Sequence, residues 1–393
     1  MGGVAVVTHA WFPPYQTLLE TLRGTLAVPL FYFVLSETDP NREWRLPRES
    51  QIAPRVIPGR RVTLGPHYIV LNLRVRKYLQ AVNPAVLVTE GWGDPGYLAA
   101  HRYAMSTGTP IVTLMCGRDP RVGEAILGRL ARGLSNLAAR RAVRASRRVF
   151  VYGTHARADA LALGARPDDV VIVKQTIEED HFDRRNWEIS AAERIRCRRD
   201  LGLDGQPLFL CVAQLVPRKG IADLLLAFRE LRRRRIDAQV LLIGRGELAG
   251  VVKEFAAAAG GRFVWRPSVP YEDIPRYYAI SDCFVFPTHF DAWGTVINES
   301  HCAQLPVICS SAAQAAADLI RHRESGLVYP SGDVRALTEC MAHAVRHPRE
   351  MAAMAMAGYR FIQDEWNSRQ AAKIWKSELE HLLASSRRPA VLV

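Results

Sequence analysis

Leu208-Phe-Leu-Cys-Val-Ala-Gln-Leu-Val-Pro-Arg-Lys-Gly-Ile221 is the stretch on which the fold turns. Its first six residues form an unbroken apolar run, the pattern of a strand buried on both faces of a parallel sheet. Pro217 and Gly220 punctuate a polar loop, and a helical pattern opens at Ile221 and runs to Arg235. The same unit then repeats. Strands are expected at Gln239–Ile243, Arg262–Trp265, Asp282–Phe286 and Pro306–Ser310. Helices over Glu247–Ala259, Tyr271–Ile280 and Gly294–Ala303 separate them. Strands spaced by helices in this way predict a doubly wound α/β unit.

Toward the amino terminus the alternation recurs. Strands are expected at Val4–Val7, Pro29–Leu35, Ala85–Thr89, Pro110–Met115, Arg148–Tyr152 and Val170–Val173, with helices over Val70–Val82 and Pro95–Ser106. Ser36–Gly65, rich in Pro and Arg, reads as an irregular excursion. His181–Asp200 turns polar and charged, which places a domain boundary near its start. Asp333–Leu383 reads as almost wholly helical. A chain of 393 residues exceeds one ordinary core. The expected architecture is two Rossmann-like domains facing across a cleft, over residues 1–182 and 183–365. A C-terminal helix and short tail, 366–393, cross back to the first domain.

Lys and Arg total 52 against 39 Asp and Glu, so the net charge is +13. That excess favours an anionic partner such as a nucleoside diphosphate, a lipid phosphate or a membrane surface, although solvated arginine faces would give the same balance. The seven cysteines are an odd number without a C-x-x-C pair. They read as reduced thiols, with neither a zinc site nor a disulfide frame. Neither a signal-peptide core nor a spanning helix is read, and the expected location is the cytoplasm, with peripheral attachment at the inner face of the cell membrane as an option.

Three loops of the second half carry candidate chemistry. Arg218 and Lys219 stand at the amino end of a helix, where two cations and free backbone N–H groups can grip a diphosphate. A solvated basic turn would look alike. Gly244-Arg-Gly246 follows the next strand, and a lone G-x-G requires no more than a tight turn. Most informative is Pro287-Thr-His-Phe-Asp-Ala-Trp-Gly-Thr295. Asp291 stands before a helix that begins near Gly294, and Glu299 projects from its second turn. Backbone N–H groups of Trp293 to Thr295 lie between the two acids. Carboxylates suit sugar hydroxyls and N–H donors suit phosphate, so this layout fits a sugar nucleotide. An acid at a helix start plus an ordinary surface Glu would share the spacing.

At these residues the sequence resembles the retaining glycosyltransferases of family 4, which have the GT-B fold. The resemblance runs through Val212–Gly220, Ile280–Pro287, Asp291–Glu299, Leu305–Ile308 and Gly326–Asp333, in order. It implies that Glu299 binds the ribose hydroxyls and that Asp291 lies by the donor sugar. Lys219 matches the phosphate-binding lysine. Trp293, Gly294 and Thr295 would meet sugar hydroxyls or diphosphate, and the loop ending at Val269 would border the base beside Gly244. The implied substrate is a nucleotide-diphosphate sugar, with no cofactor and no metal. The implied mechanism is front-face attack, with the leaving diphosphate helping to deprotonate the acceptor. Departures are Asp291, where Glu is usual, and Gln214, where Arg is common, leaving Arg218 as the candidate for that charge. A common Gly-Gly pair is replaced within Ser310–Gln314, and the Gly-rich loop after the first strand by His9–Tyr15.

The first domain is expected to hold a glycan or lipid-linked acceptor, through His9, Trp11 and Tyr15, the loop Glu90-Gly-Trp-Gly-Asp94, and Arg118 in Cys116–Asp119. Arg121–Arg148 contains eight arginines and one acid. Ile126, Leu127, Leu130, Leu134 and Leu137 form one helical face, with Arg129, Arg132 and Arg140 elsewhere. Continuing that helix would set Arg144 and Arg148 on the apolar face, so it is expected to bend or end after about Arg140, or to meet something anionic. Two other function classes remain: a nucleotide-sugar epimerase or hydrolase on the same fold, and a non-catalytic anion or membrane-surface binder. No nucleic-acid partner is expected.

Overall fold

The computed structural model describes residues 2–37, 52–64, 67–118 and 126–386. Asp119, Arg121, Glu124, half of Ser36–Gly65 (38–51 and 65), the end of the tail, and the side chains of Ile126, Leu127, Arg129, Leu130 and Arg132 lie outside the described residues. The chain divides into two compact units, residues 1–176 with 368–393, and residues 177–367.

In the first unit the strands are β1 (Val4–Ala10), β2 (Leu30–Ser36), β3 (Arg55–Val56), β4 (Arg60–Leu64), β5 (His67–Leu71), β6 (Val86–Glu90), β7 (Ile111–Met115), β8 (Arg148–Val151) and β9 (Val170–Ile172). Seven of them form one parallel sheet in the order β3-β2-β1-β6-β7-β8-β9. Val4–Val7 and Ile111–Met115 are buried throughout, which is why these runs lack polar alternation. Hairpin β4–β5 is antiparallel and separate. The helix Ser368–Ser386 packs in this unit against the helix Pro13–Thr25. Trp375 is fully buried edge-on to Phe150, and Glu378 accepts from Arg148 at 2.8 Å.

The second unit holds β10 (Leu208–Val212), β11 (Gln239–Ile243), β12 (Phe263–Arg266), β13 (Cys283–Phe286), β14 (Val307–Ser310) and β15 (Leu327–Tyr329). All are parallel, in the order β12-β11-β10-β13-β14-β15. In both sheets strand order reverses beside the first strand, between β1 and β6 and between β10 and β13. Loops at the carboxyl ends of those strands are where open α/β sheets bind ligands.

Several expectations are corrected. The helix expected over Val70–Val82 begins at Val75, because Val70 and Leu71 pair in β5 with Arg61 and Arg60. The excursion before Gly65 contains β3 and β4. Strand β15 fell in a stretch read only as part of a motif. The basic helix runs unbroken from Ile126 to Ala145 rather than ending near Arg140. It buries Ala139, Ala142 and Val143 while Leu134 and Leu137 stay exposed. Arg148 is not on it, but on β8, bonded to Asp169 and Glu378.

Candidate active site

The loop after β10 is pressed against the loop after β13. Gly220 has φ +65°, and a Cβ there would stand 1.8 Å from the Pro287 carbonyl oxygen, so only glycine permits the approach. The Arg218 carbonyl accepts from the amides of His289 at 2.8 Å and Phe290 at 3.2 Å, and from Thr288 Oγ1 at 3.1 Å. His289 Nε2 lies 2.7 Å from Asp223 Oδ2 on the helix Ile221–Arg233. These ties fix Lys219 beside Asp291, and their side chains form an ion pair. Lys219 is buried, with its Nζ 5.5 Å from the centroid of the Phe286 ring. Arg218 is exposed, reaching Gln214 Oε1 at 3.3 Å and the Phe290 carbonyl at 3.4 Å.

Asp291 also shapes its own loop. Its Oδ1 accepts from the Trp293 amide at 3.1 Å, and its backbone bridges Ala313 after β14. Trp293 is buried, donates from Nε1 to Asn298 Oδ1 at 2.9 Å, and stacks on Trp366. Gly294, with φ +103°, turns the chain into the helix Thr295–Cys302. On that helix Glu299 Oε2 accepts from the Tyr278 hydroxyl at 2.7 Å. Tyr278 is fully buried, and burial, followed by the charge of Glu299, raises its phenol well above the ordinary value. It therefore stays a neutral donor and orients the carboxylate. Next to them the Gly244 amide bonds the Arg266 carbonyl at 2.9 Å, and Trp265 Nε1 bonds the Gly244 carbonyl at 3.0 Å. Gly244 and the loop to half-buried Val269 thus border the same sheet edge.

In the first unit the end of β1 meets the end of β6 and the loop that follows it. His9 Nδ1 lies 2.7 Å from Asp94 Oδ2, and the His9 amide reaches Glu90 Oε2 at 3.5 Å. The Tyr15 hydroxyl donates to Glu90 Oε1 at 3.0 Å and contacts the Tyr152 hydroxyl. Trp11 turns to Gln16, at 3.3 Å. Arg118 bonds Asn136, its amide bonds Asp159 at 2.9 Å, and its guanidinium stands 5.8 Å from the Trp92 ring centroid. Among the described residues no group of three or more His, Cys, Asp or Glu is placed to hold a metal ion.

Sequence reading missed Tyr278, Asp223, His289 as a tether, and Trp366. Tyr278 sits inside an apolar helix, where an aromatic reads as core. Its polar partner lies 21 positions on.

Comparison with known proteins gives the following matches. Residues 193–361, which include Lys219, Tyr278, Asp291, Gly294 and Glu299, match the family "Glycosyl transferases group 1". A GDP-mannose-dependent alpha-(1-6)-phosphatidylinositol monomannoside mannosyltransferase of Mycolicibacterium smegmatis is 30% identical over 208 residues, covering 50% of this chain and 52% of the relative. Its monoacylated-substrate counterpart from Corynebacterium glutamicum is 28% identical over 178 residues, covering 43% and 46%. The matches thus span about half the length of these curated relatives. Among solved structures, HepE of Anabaena in complex with UDP aligns with a TM-score of 0.75 at 14% identity, over 96% of this chain and 100% of that one. Sucrose-phosphate synthase of Thermosynechococcus elongatus aligns at 0.75 and 16%, over 98% and 100%. The fold is that of the GT-B glycosyltransferases.

Proposed function

We propose that this chain is a retaining glycosyltransferase that moves a sugar from a nucleoside-diphosphate donor to a glycan, glycolipid or polysaccharide-precursor hydroxyl. The observation that carries the reading is the convergence of Lys219, Asp291, Gly294 and Glu299 at the β10/β13 switch point. Lys219, Arg218 and the amino end of the helix Thr295–Cys302 offset the charge that grows on the departing diphosphate. Asp291 and the backbone of Trp293–Thr295 orient the sugar, and Glu299, held by Tyr278, takes the ribose hydroxyls. Gly244 and Val269 border the base. Attack comes from the same face as departure, without a covalent nucleophile, and the diphosphate takes up the acceptor proton. No metal or cofactor enters this scheme.

Two relatives are named for GDP-mannose and a phosphatidylinositol mannoside. That makes GDP-mannose the first donor to test and a glycolipid the first acceptor class. On the acceptor side we assign His9, Trp11 and Arg118. The helix Ile126–Ala145 exposes Leu134 and Leu137 near Arg140, Arg141 and Arg144, which supports peripheral contact with an anionic membrane at its cytoplasmic face. No helix among the described residues is long and apolar enough to cross a membrane.

The test is a turnover and binding panel of GDP-, UDP-, ADP- and TDP-sugars, with anomeric analysis of the product. Glu299→Ala is expected to weaken donor binding about tenfold or more, the size of a lost charged hydrogen-bond partner. Unchanged donor affinity in that variant, or an inverted product, would overturn the corresponding assignment.

A further inference from the structure

Three arginines meet at the opposite end of the second unit's sheet, by the amino ends of β10, β13 and β14. Arg194 and Arg198 project from the helix Ala191–Asp200, and Arg184 from the turn before it. They line a cavity of about 420 Å³, which is within the size range of small-molecule sites. Leu305, Val345 and Met351 supply part of its apolar wall. Lys219, Gly244, Asp291 and Gly294 lie past the carboxyl ends of these strands, at the other end of the sheet, while Tyr278, whose hydroxyl meets Glu299, also lines this cavity.

The hydrogen bonds show what these arginines have to spare. Arg198, buried, reaches the Ile280 carbonyl at 2.8 and 2.6 Å, the Gln206 carbonyl at 3.3 Å and Asp282 Oδ2 at 2.7 Å. Arg194 Nε donates to the Ile280 carbonyl at 3.1 Å, and its Nη2 to the Ser281 carbonyl at 2.6 Å and Asp282 Oδ1 at 2.7 Å. Arg184 gives only Nη1, to the Trp187 carbonyl at 3.2 Å and the Ala279 carbonyl at 3.1 Å. Arg194 Nη1 and Arg184 Nε and Nη2 therefore have no protein partner among the described residues.

Charge points the same way. The carbonyl end of the helix Ile274–Ile280 and the carboxylate of Asp282 face the cluster, and Glu188 acts on Arg184 from farther off. Among the described residues Asp282 is the one carboxylate bonded to it, so with Glu188 counted three guanidinium charges stand against two anions. Burial lowers the affinity of Arg194 for its proton. Asp282 opposes that shift, while Arg198 and Arg184 add to it by repulsion. Burial lowers Arg184 likewise. Crowded, half-desolvated planar guanidiniums with unused N–H donors match the several acceptor oxygens of a phosphate.

We propose that this cavity binds the phosphate monoester of a small, partly apolar molecule, its dianionic head on Arg184 and Arg194 and its body against Leu305, Val345 and Met351. The net positive charge and the unused N–H donors of Arg184 and Arg194 favour a multiply accepting dianion over a carboxylate, and the apolar wall favours a substituted phosphate over the free ion. The site is independent of the donor reading.

Phenyl phosphate, inorganic phosphate and phenol serve as probes in calorimetric titrations of the full chain. Phenyl phosphate is expected to bind with one-to-one saturation, at least about fivefold tighter than inorganic phosphate, with no saturable binding of phenol below about 10 mM. Lys219→Ala, which alters the donor side, should leave that affinity unchanged. Arg184→Gln should weaken it about tenfold. Ala352→Glu, which sets a carboxylate at the exposed rim of the cavity, should weaken it similarly and is not expected to disturb folding. Absence of saturable binding would overturn the proposal. So would binding that disappears in Lys219→Ala and persists in both cavity variants.

Discussion

The two switch points of this molecule are built alike and charged differently. In each unit a side-chain pair joins the carboxyl ends of the two strands flanking the reversal, His9 at the end of β1 with Asp94 after β6, and the ion pair of Lys219 after β10 with Asp291 after β13. Around the lysine pair stand Arg218, Gly294 at a helix start, and Tyr278 behind Glu299. Around the histidine pair stand Glu90, Tyr15 and Tyr152. The first edge is acidic and rich in hydroxyls. The second combines fixed cations with backbone N–H donors. Similar topology thus yields one edge suited to hydroxyl-bearing molecules and one suited to an anion, and the difference comes from a few loop residues rather than from the sheets.

The largest expected effect tests the cationic edge. Lys219→Met should lower kcat/KM by about 100- to 1,000-fold, since it removes a charge aimed at the leaving group. A steady-state assay on protein shown to be folded by circular dichroism would measure it. A loss below tenfold would break the contrast between the edges.

A second prediction concerns what the units share. His101 in the first and His301 in the second are both buried, and burial lowers each to about 4. The folded state keeps them neutral, whereas the unfolded chain takes up protons below about 6.5. Stability is therefore retained above that value and lost as pH falls toward about 4, by on the order of 3 kcal/mol for each histidine. Urea midpoints from pH 7 to 4 should show the fall. His101→Gln should flatten only the part that belongs to the first unit.

Next in size is Asp94→Asn, which leaves His9 a hydrogen-bond partner without a charge. Acceptor kcat/KM should drop about tenfold with donor KM unchanged. Equal changes in both would erase the division of labour between the edges. The smallest effect belongs to Tyr278→Phe. Losing one bond to Glu299 should raise donor KM about fivefold and cost about 1 kcal/mol of stability. A variant with normal KM but lower stability would reduce Tyr278 to a packing role.

What the sequence made legible follows from how far apart the partners lie. Apolar runs such as Gln239–Ile243 announced parallel strands because burial on both faces removes polar alternation. Lys219, Asp291 and Glu299 stood out because each follows such a run at a helix start. Their mutual contacts did not, since 72 positions separate Lys219 from Asp291 and 85 separate His9 from Asp94. Short-range patterns carry no record of loops meeting across a sheet. Hairpin β4–β5 escaped because Arg60 and Arg61 mask its period, and Val70 and Leu71 run on toward an apolar helix. Leu134 and Leu137 misled in the opposite sense. They read as one apolar helical face, while small residues at Ala139, Ala142 and Val143 are the ones buried.

Trp293, in the bend between Asp291 and Gly294, stacks on Trp366 with ring centroids 5.5 Å apart and planes inclined by 14°. Two indoles so close and nearly parallel act as one coupled chromophore. Their transitions mix, and their emission depends steeply on the gap between the rings. The bend that bears Asp291 is thereby fitted with an intrinsic optical gauge. Near-ultraviolet dichroism and tryptophan fluorescence can follow a shift of that bend on ligand addition without any attached label.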